Sequence, residues 1–208
     1  MQRKCTVFQP IISLSSPLQF LHFIVFLIYH TKMTLLNLLN YELSWHDREK
    51  WNKTIRLLKE FSEDHNGDLS HIKDTARIIK YRIDDIDAFI RQNTAAVCPS
   101  CENVCCVNKH GFYDYEDLIY VYALGLTPPS YKEGVSDTEP CRFLSETGCA
   151  IERSIRPFRC NWYFCGALLK HIENGPAKPY RIFIKQLDEI VDLRKEMLDG
   201  FFRILKSA

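Results

Sequence analysis

The chain has 208 residues, 46% hydrophobic and 25% charged, with nine cysteines; this excludes a disordered chain and suffices for one domain with its own core, or a core plus a small module. Its 27 basic and 26 acidic side chains leave a formal net charge of +1, so no overall field draws it to nucleic acid or to an acidic membrane.

Residues 1–32 are a hydrophobic N-terminal extension. Phe20 to Tyr29 is apolar except for His22 and is preceded by Arg3 and Lys4, like a signal-peptide core. It is shorter than the roughly 20 residues of a spanning helix unless Ile11 to Phe20 joins it, and that half carries Ser13, Ser15, Ser16, Pro17 and Gln19. His30, Thr31, Lys32 and Met33 offer no small-residue cleavage site. The favoured reading is that translation starts at Met33 and the protein is cytoplasmic, with membrane association only if residues 11–29 are a genuine anchor.

Residues 33–94 read as a helical hairpin. Ser44 is the expected N-cap, with Asp47 three residues on, and Trp51, Ile55, Leu58 and Phe61 recur on one face. His65-Asn66-Gly67-Asp68 ends that helix and Ser70 is expected to cap the next. There Ile72, Ala76, Ile79, Ile83, Ile86 and Ile90 are spaced by 4, 3, 4, 3 and 4, an amphipathic stripe.

Residues 95–170 form the cysteine-rich region. A loop from Asn93 to Gly111 holds the first cysteine group, and Asp114 caps a short helix closed by Gly125. Thr127 to Pro140 is a surface loop, and Ser145-Glu-Thr-Gly148 is the turn of a small hairpin that brings Cys141 and Cys149 together. Residues 171–208 supply a C-terminal helix starting near Pro179, with Ile184, Leu187, Val191, Leu198, Phe201 and Leu205 on one face and Arg194 as the single break. The fold expected is mainly α, an N-terminal hairpin and a long C-terminal helix around a small irregular cysteine-rich centre.

Eight of the nine cysteines lie between Cys98 and Cys165; Cys5 stands apart. Cys98-Pro-Ser-Cys101 has the two-residue spacing that lets a tight turn present two thiolates to one ion. Thiolates are soft ligands, suited to zinc, iron-sulfur clusters or copper(I). Cys98, Cys101, Cys105 and Cys106 make one group of four in chain order, and Cys141, Cys149, Cys160 and Cys165 another. Neighbouring side chains on an extended backbone point to opposite sides, so the Cys105-Cys106 doublet favours two sites, or one ligand plus a packed thiol. The alternative, four disulfides in an oxidising compartment, suits a chain that needs stapling, and three amphipathic helices argue that this one does not.

Other candidates have plain structural readings. His110 could ligate or donate a proton but reads as a surface side chain, and Glu116 and Asp117 fit a first helical turn. Arg153, Arg156 and Arg159 read as solvated arginines beside a metal loop, and Trp162, Tyr163 and Phe164 as a shield against water. No glycine-rich dinucleotide loop, P-loop or G-x-S-x-G occurs.

The order C-x2-C, a cysteine doublet, a glutamate-bearing helix, then Cys141-Arg-Phe-Leu, Cys149-Ala-Ile, Arg156-Pro157, Cys160 and Cys165 resembles the YkgJ-type cysteine-cluster family of zinc- or iron-chelating domains. Two features depart from its usual pattern: three residues rather than two precede the doublet, and Asn161 follows Cys160 where arginine is common. The resemblance implies an iron-sulfur cluster, most simply four-iron four-sulfur, or zinc; the candidate ligands are the eight clustered cysteines, enough for two four-ligand sites or for one cluster with the remainder structural. It also implies electron transfer or an oxidoreductase step with an unidentified redox or protein partner. Flagellin lysine N-methylases resemble the same family, which adds protein methylation as a further implied activity; a structural zinc module that binds another protein is the alternative from a different class.

Overall fold

The computed structural model describes residues 47–101, 106, 111–130, 139–146 and 148–207. Helix α1 spans Arg48–Asp64 and is capped by Asp47, whose carboxylate accepts from the Lys50 amide at 2.8 Å. Ser44, the expected cap, lies outside the described residues. Trp51, Thr54, Leu57, Leu58 and Phe61 are buried along α1, so the inward face is a little broader than the predicted stripe.

Helix α2, Ser70–Val97, buries every residue of the predicted stripe: Ile72, Ala76, Ile79, Ile83, Ile86 and Ile90. Ser70 is its first residue and not its cap. Leu69 holds the cap position without a side-chain bond, and the turn is closed instead by Leu69 N–H to His65 O and Ser70 N–H to Gly67 O. The helix also runs past Asn93, where a loop was expected. The Asn93 amide and Thr94 hydroxyl donate back to the Phe89 and Ile90 carbonyls at 2.8 Å each, which lets two polar residues continue the helix, and Ala95 and Ala96 favour it. Pro99 then tightens the chain into a 3-10 turn, Cys98–Ser100.

Helix α3, Tyr115–Ala123, opens with the predicted Asp114 cap, which Asp117 completes as a capping box. Gly125, at φ +74°, turns the chain out of it while Leu126 N–H reaches Val121 O at 3.1 Å. Strands β1, Leu144–Ser145, and β2, Gly148–Cys149, pair antiparallel and form the expected hairpin, in a register that sets Leu144 and not Cys141 opposite Cys149. A second 3-10 turn, Arg153–Ile155, leads to helices α4, Arg159–Trp162, and α5, Gly166–Glu173. The sequence reading did not include α5, although Leu168 and Ile172, both buried, lie one helical turn apart.

Helix α6, Ala177–Ser207, begins two residues before Pro179, which sits in the first turn where an amide hydrogen has no helical partner. Its buried side is rotated from the predicted face. Phe183, Ile190, Arg194, Met197, Leu198, Phe201 and Leu205 point inward, while Val191 is 47% exposed. Arg194 therefore belongs to the buried face and does not interrupt it; its partner is Asp117.

Helix α6 runs antiparallel to α2: His71 meets Glu196, Arg82 meets Glu189, and the Phe89 ring stacks on Phe183 at 4.6 Å. Helix α1 packs on α3, where the Tyr122 hydroxyl donates to Ile55 O at 3.0 Å. The four helices share one core. The cysteine region sits where the C-terminus of α2 and the N-termini of α3 and α5 come together. Among the described residues no helix is long and apolar enough to cross a membrane.

Candidate metal centre

Two regular elements deliver the first and last described cysteines. The end of α2 passes directly into the 3-10 turn that holds Cys98 and Cys101, closed by Cys101 N–H to Cys98 O at 3.2 Å. Cys165 is the residue before α5, and its carbonyl accepts from Leu169 N–H at 2.9 Å. Because α5 packs against α2, Cys165 returns to the Cys98 turn. Burial, followed by the nearby Cys165 and Cys101 thiols, pushes the Cys98 thiol up.

Of the other described cysteines, Cys141 and Cys160 lie against Gly111. The Cys141 amide donates to Cys106 O at 2.7 Å, and the Gly111 amide donates to Cys141 Sγ at 3.4 Å. Cys149 stands opposite Leu144 in the hairpin, and Cys160 lies in the first turn of α4. A methyl group on Gly111 would lie 3.1 Å from Cys160 Sγ, 3.6 Å from Pro157 Cγ and 3.8 Å from Cys141 Sγ. Gly111 is thus the floor of a thiol-lined space, a role that sequence reading did not assign to it. Burial and then the Cys141, Cys149 and Cys106 thiols push Cys160 up to about 12, with Arg156 opposing. Cys106 is raised by the same kinds of neighbour: burial first, then Cys141, Cys149 and Cys98.

The segment between hairpin and α4 is fastened to the helices by side chains. Arg153, expected to be solvated, is 7% exposed, pairs with Asp87 of α2 and reaches Cys160 O at 3.5 Å. A buried guanidinium requires such partners. Burial pushes the Asp87 carboxyl up, but its hydrogen bond and charge pairing with Arg153, aided by Arg91, outweigh that and hold it below its ordinary value. The Tyr113 and Tyr120 hydroxyls donate to Ile155 O at 2.6 Å and Ser154 O at 3.0 Å. Arg156 Nε donates to Ile151 O at 2.8 Å, and of the three arginines Arg159 alone is exposed.

Asp117 is a second fastening that first-turn statistics do not reveal. It accepts from the Phe158 amide at 3.0 Å and from Arg194 Nη2 at 3.2 Å, tying α3, α6 and the approach to Cys160 together. Burial and the Asp114 carboxylate push its carboxyl up to about 7 against the pull of Arg194 and two backbone amides. The Arg194 guanidinium also lies 4.3 Å from the centre of the Phe158 ring. A surface groove along α6, lined by Glu116, Phe158, Arg194 and Phe202 among others, contains none of the described cysteines.

The expected aromatic shield is not formed by all three residues. Trp162 is 49% exposed and Tyr163 is also on the surface, because the short α4 ends between them; Phe164 turns inward against Phe183 at 5.5 Å. Asn161 behaves differently. It has no solvent exposure, and neither polar atom of its amide has a hydrogen-bond partner. An orphaned buried amide costs about 1–3 kcal/mol and calls for a missing partner.

The donor chemistry fits a soft metal. The seven described cysteines are thiols and not disulfides, they cluster from distant parts of the chain, and an unpartnered buried amide adjoins Cys160. Among the described residues no three or more His, Cys, Asp or Glu side chains are gathered in a coordinating arrangement, so the thiols must rotate and lose protons to ligate. Cys105, His110 and Cys5 lie outside the described residues. Comparison with known protein families, curated proteins and solved structures gives no match to this chain.

Proposed function

We propose that the clustered cysteines hold an iron-sulfur centre, most simply four-iron four-sulfur, and that the chain serves electron transfer or an oxidoreductase step with a protein partner. The observation that carries this reading is the convergence of Cys141 and Cys160 on the small space left by Gly111, with the exposed Cys106 tied beside them through the Cys141 amide. All-thiolate donor sets suit such clusters, and a buried amide such as that of Asn161 supplies the kind of N–H that bonds cluster sulfur and tunes its potential. The resemblance to YkgJ-type domains points the same way. Cys98, Cys101, Cys105, Cys106, Cys141, Cys149, Cys160 and Cys165 are the proposed ligand pool. When bound, the cluster supplies one-electron chemistry; the chain supplies thiolates, burial and Arg156 as a compensating cation beside Cys106 and Cys160.

One observation favours a second reading, structural zinc. The region's strands are two residues long, too short for ladder bonds to hold the hairpin, and a thiolate-bound zinc ion would add the missing folding energy. Counting iron, acid-labile sulfide and zinc per chain after anaerobic purification separates the two. Iron with equal sulfide and broad visible absorbance is expected; a colourless chain with stoichiometric zinc would move the conclusion to the second reading, and neither metal would overturn both.

A further inference from the structure

We infer that the thiols divide into two metal-holding groups that cut across chain order, Cys106, Cys141, Cys149 and Cys160 in one and Cys98, Cys101 and Cys165 in the other; this rests on the metal-binding reading above. The order of the cysteines alone suggests a different division, 98 to 106 against 141 to 165. The backbone argues against it at two places. The Cys141 amide bonds the Cys106 carbonyl at 2.7 Å, which draws the second doublet cysteine away from the Cys98 turn and onto the hairpin. Helix α5, packed along α2, carries Cys165 away from the hairpin and back to that turn.

Side-chain geometry agrees. Cys160 Sγ and Cys141 Sγ both lie within 4 Å of the point where a Gly111 methyl would stand, so they share one space. Cys149 stands opposite Leu144, whose N–H bonds Cys141 O at 2.8 Å, which keeps it on the hairpin beside Cys141. Electrostatics accord with the same division: the Cys141, Cys149 and Cys106 thiols act on Cys160, and the Cys165 and Cys101 thiols on Cys98. Cys98 also acts on Cys106, so the two groups are neighbours. Rotated toward one another and deprotonated, the four thiols of the first group would complete a tetrahedral soft-metal shell. Cys105 is assigned to neither.

Cobalt(II) is the probe, added under anaerobic conditions to the metal-free full chain and read through its thiolate charge-transfer and d–d absorbance. Wild type is expected to bind two equivalents. The pair Cys98→Ser with Cys165→Ser should keep one equivalent with an unaltered four-thiolate spectrum. The pair Cys106→Ser with Cys160→Ser should lose that spectrum and keep the other site. The mixed pair Cys98→Ser with Cys106→Ser should leave neither site unaltered. Should the mixed pair keep one intact site while the Cys98 and Cys165 pair loses both, or should wild type bind a single equivalent, the division is overturned although metal binding stands. No cobalt binding by wild type overturns the metal-binding reading itself. Far-ultraviolet circular dichroism checks folding of each variant; if the Cys106 and Cys160 pair fails to fold, Cys141→Ser with Cys149→Ser replaces it.

Discussion

At the scale of single residues, the centre depends on side chains whose importance lies in what they leave room for or leave unbonded. Gly111 is the plainest case. Gly111→Ala puts a methyl 3.1 Å from Cys160 Sγ, closer than nearly all such contacts, and the sulfur must move from the position it shares with Cys141. The expected result is at least a severalfold loss of retained metal with unchanged helical circular dichroism; full retention would show that the space around Gly111 is not where metal sits. Asn161 gives a prediction of opposite sign in two states. Replacing a buried amide that lacks partners by an apolar side chain of similar size removes a desolvation cost of about 1–3 kcal/mol, so Asn161→Leu should raise the melting temperature of the metal-free chain. In the loaded chain the same change should lower it, because the amide has then found its acceptor. Calorimetry on both forms checks this.

At the scale of elements, the ion pair between the half-buried Asp87 and the buried Arg153 helps to hold the cysteine segment on α2. Removing Asp87 leaves a buried guanidinium without its carboxylate, a cost of about 1–3 kcal/mol, so Asp87→Asn should lower the denaturation midpoint at neutral pH. The sign of its pH dependence follows from the lowered carboxyl. Folded Asp87 titrates below the unfolded value, so its contribution is complete above the ordinary carboxylate range and is lost as pH falls through the folded value. The difference between wild type and Asp87→Asn should therefore shrink on acidification; a pH-independent difference would contradict it. Helix α2 offers a plainer comparison: Ile83→Ala should cost about 2–5 kcal/mol and Ile78→Ala under about 0.5 kcal/mol, because Ile83 is buried and Ile78 is 47% exposed. These elements also show what was legible in the sequence. The α2 stripe, the Asp114 cap and the Cys141–Cys149 hairpin were readable because periodicity, caps and tight turns are local. The rotated face of α6 was not, since burying Arg194 depends on Asp117, seventy-seven positions away. Likewise the end of α2 was lost because Asn93 and Thr94 look like breakers until their bonds to the preceding turn are known.

At the scale of the whole molecule, a four-helix core fixes the ends of α2, α3 and α5, and those ends carry or frame the thiols. The proposed ligand pool comes from the sequence, because cysteine spacing is a one-dimensional signal, whereas its proposed division rests on α5 folding back along α2. The central claim is that these thiols hold metal and are not reserved for disulfides. Native mass spectrometry of the anaerobically prepared full chain tests it most directly. The account expects a mass increment of iron and sulfide that disappears on acid denaturation and leaves a fully reduced chain. A metal-free chain lighter by two hydrogens for each disulfide would contradict it.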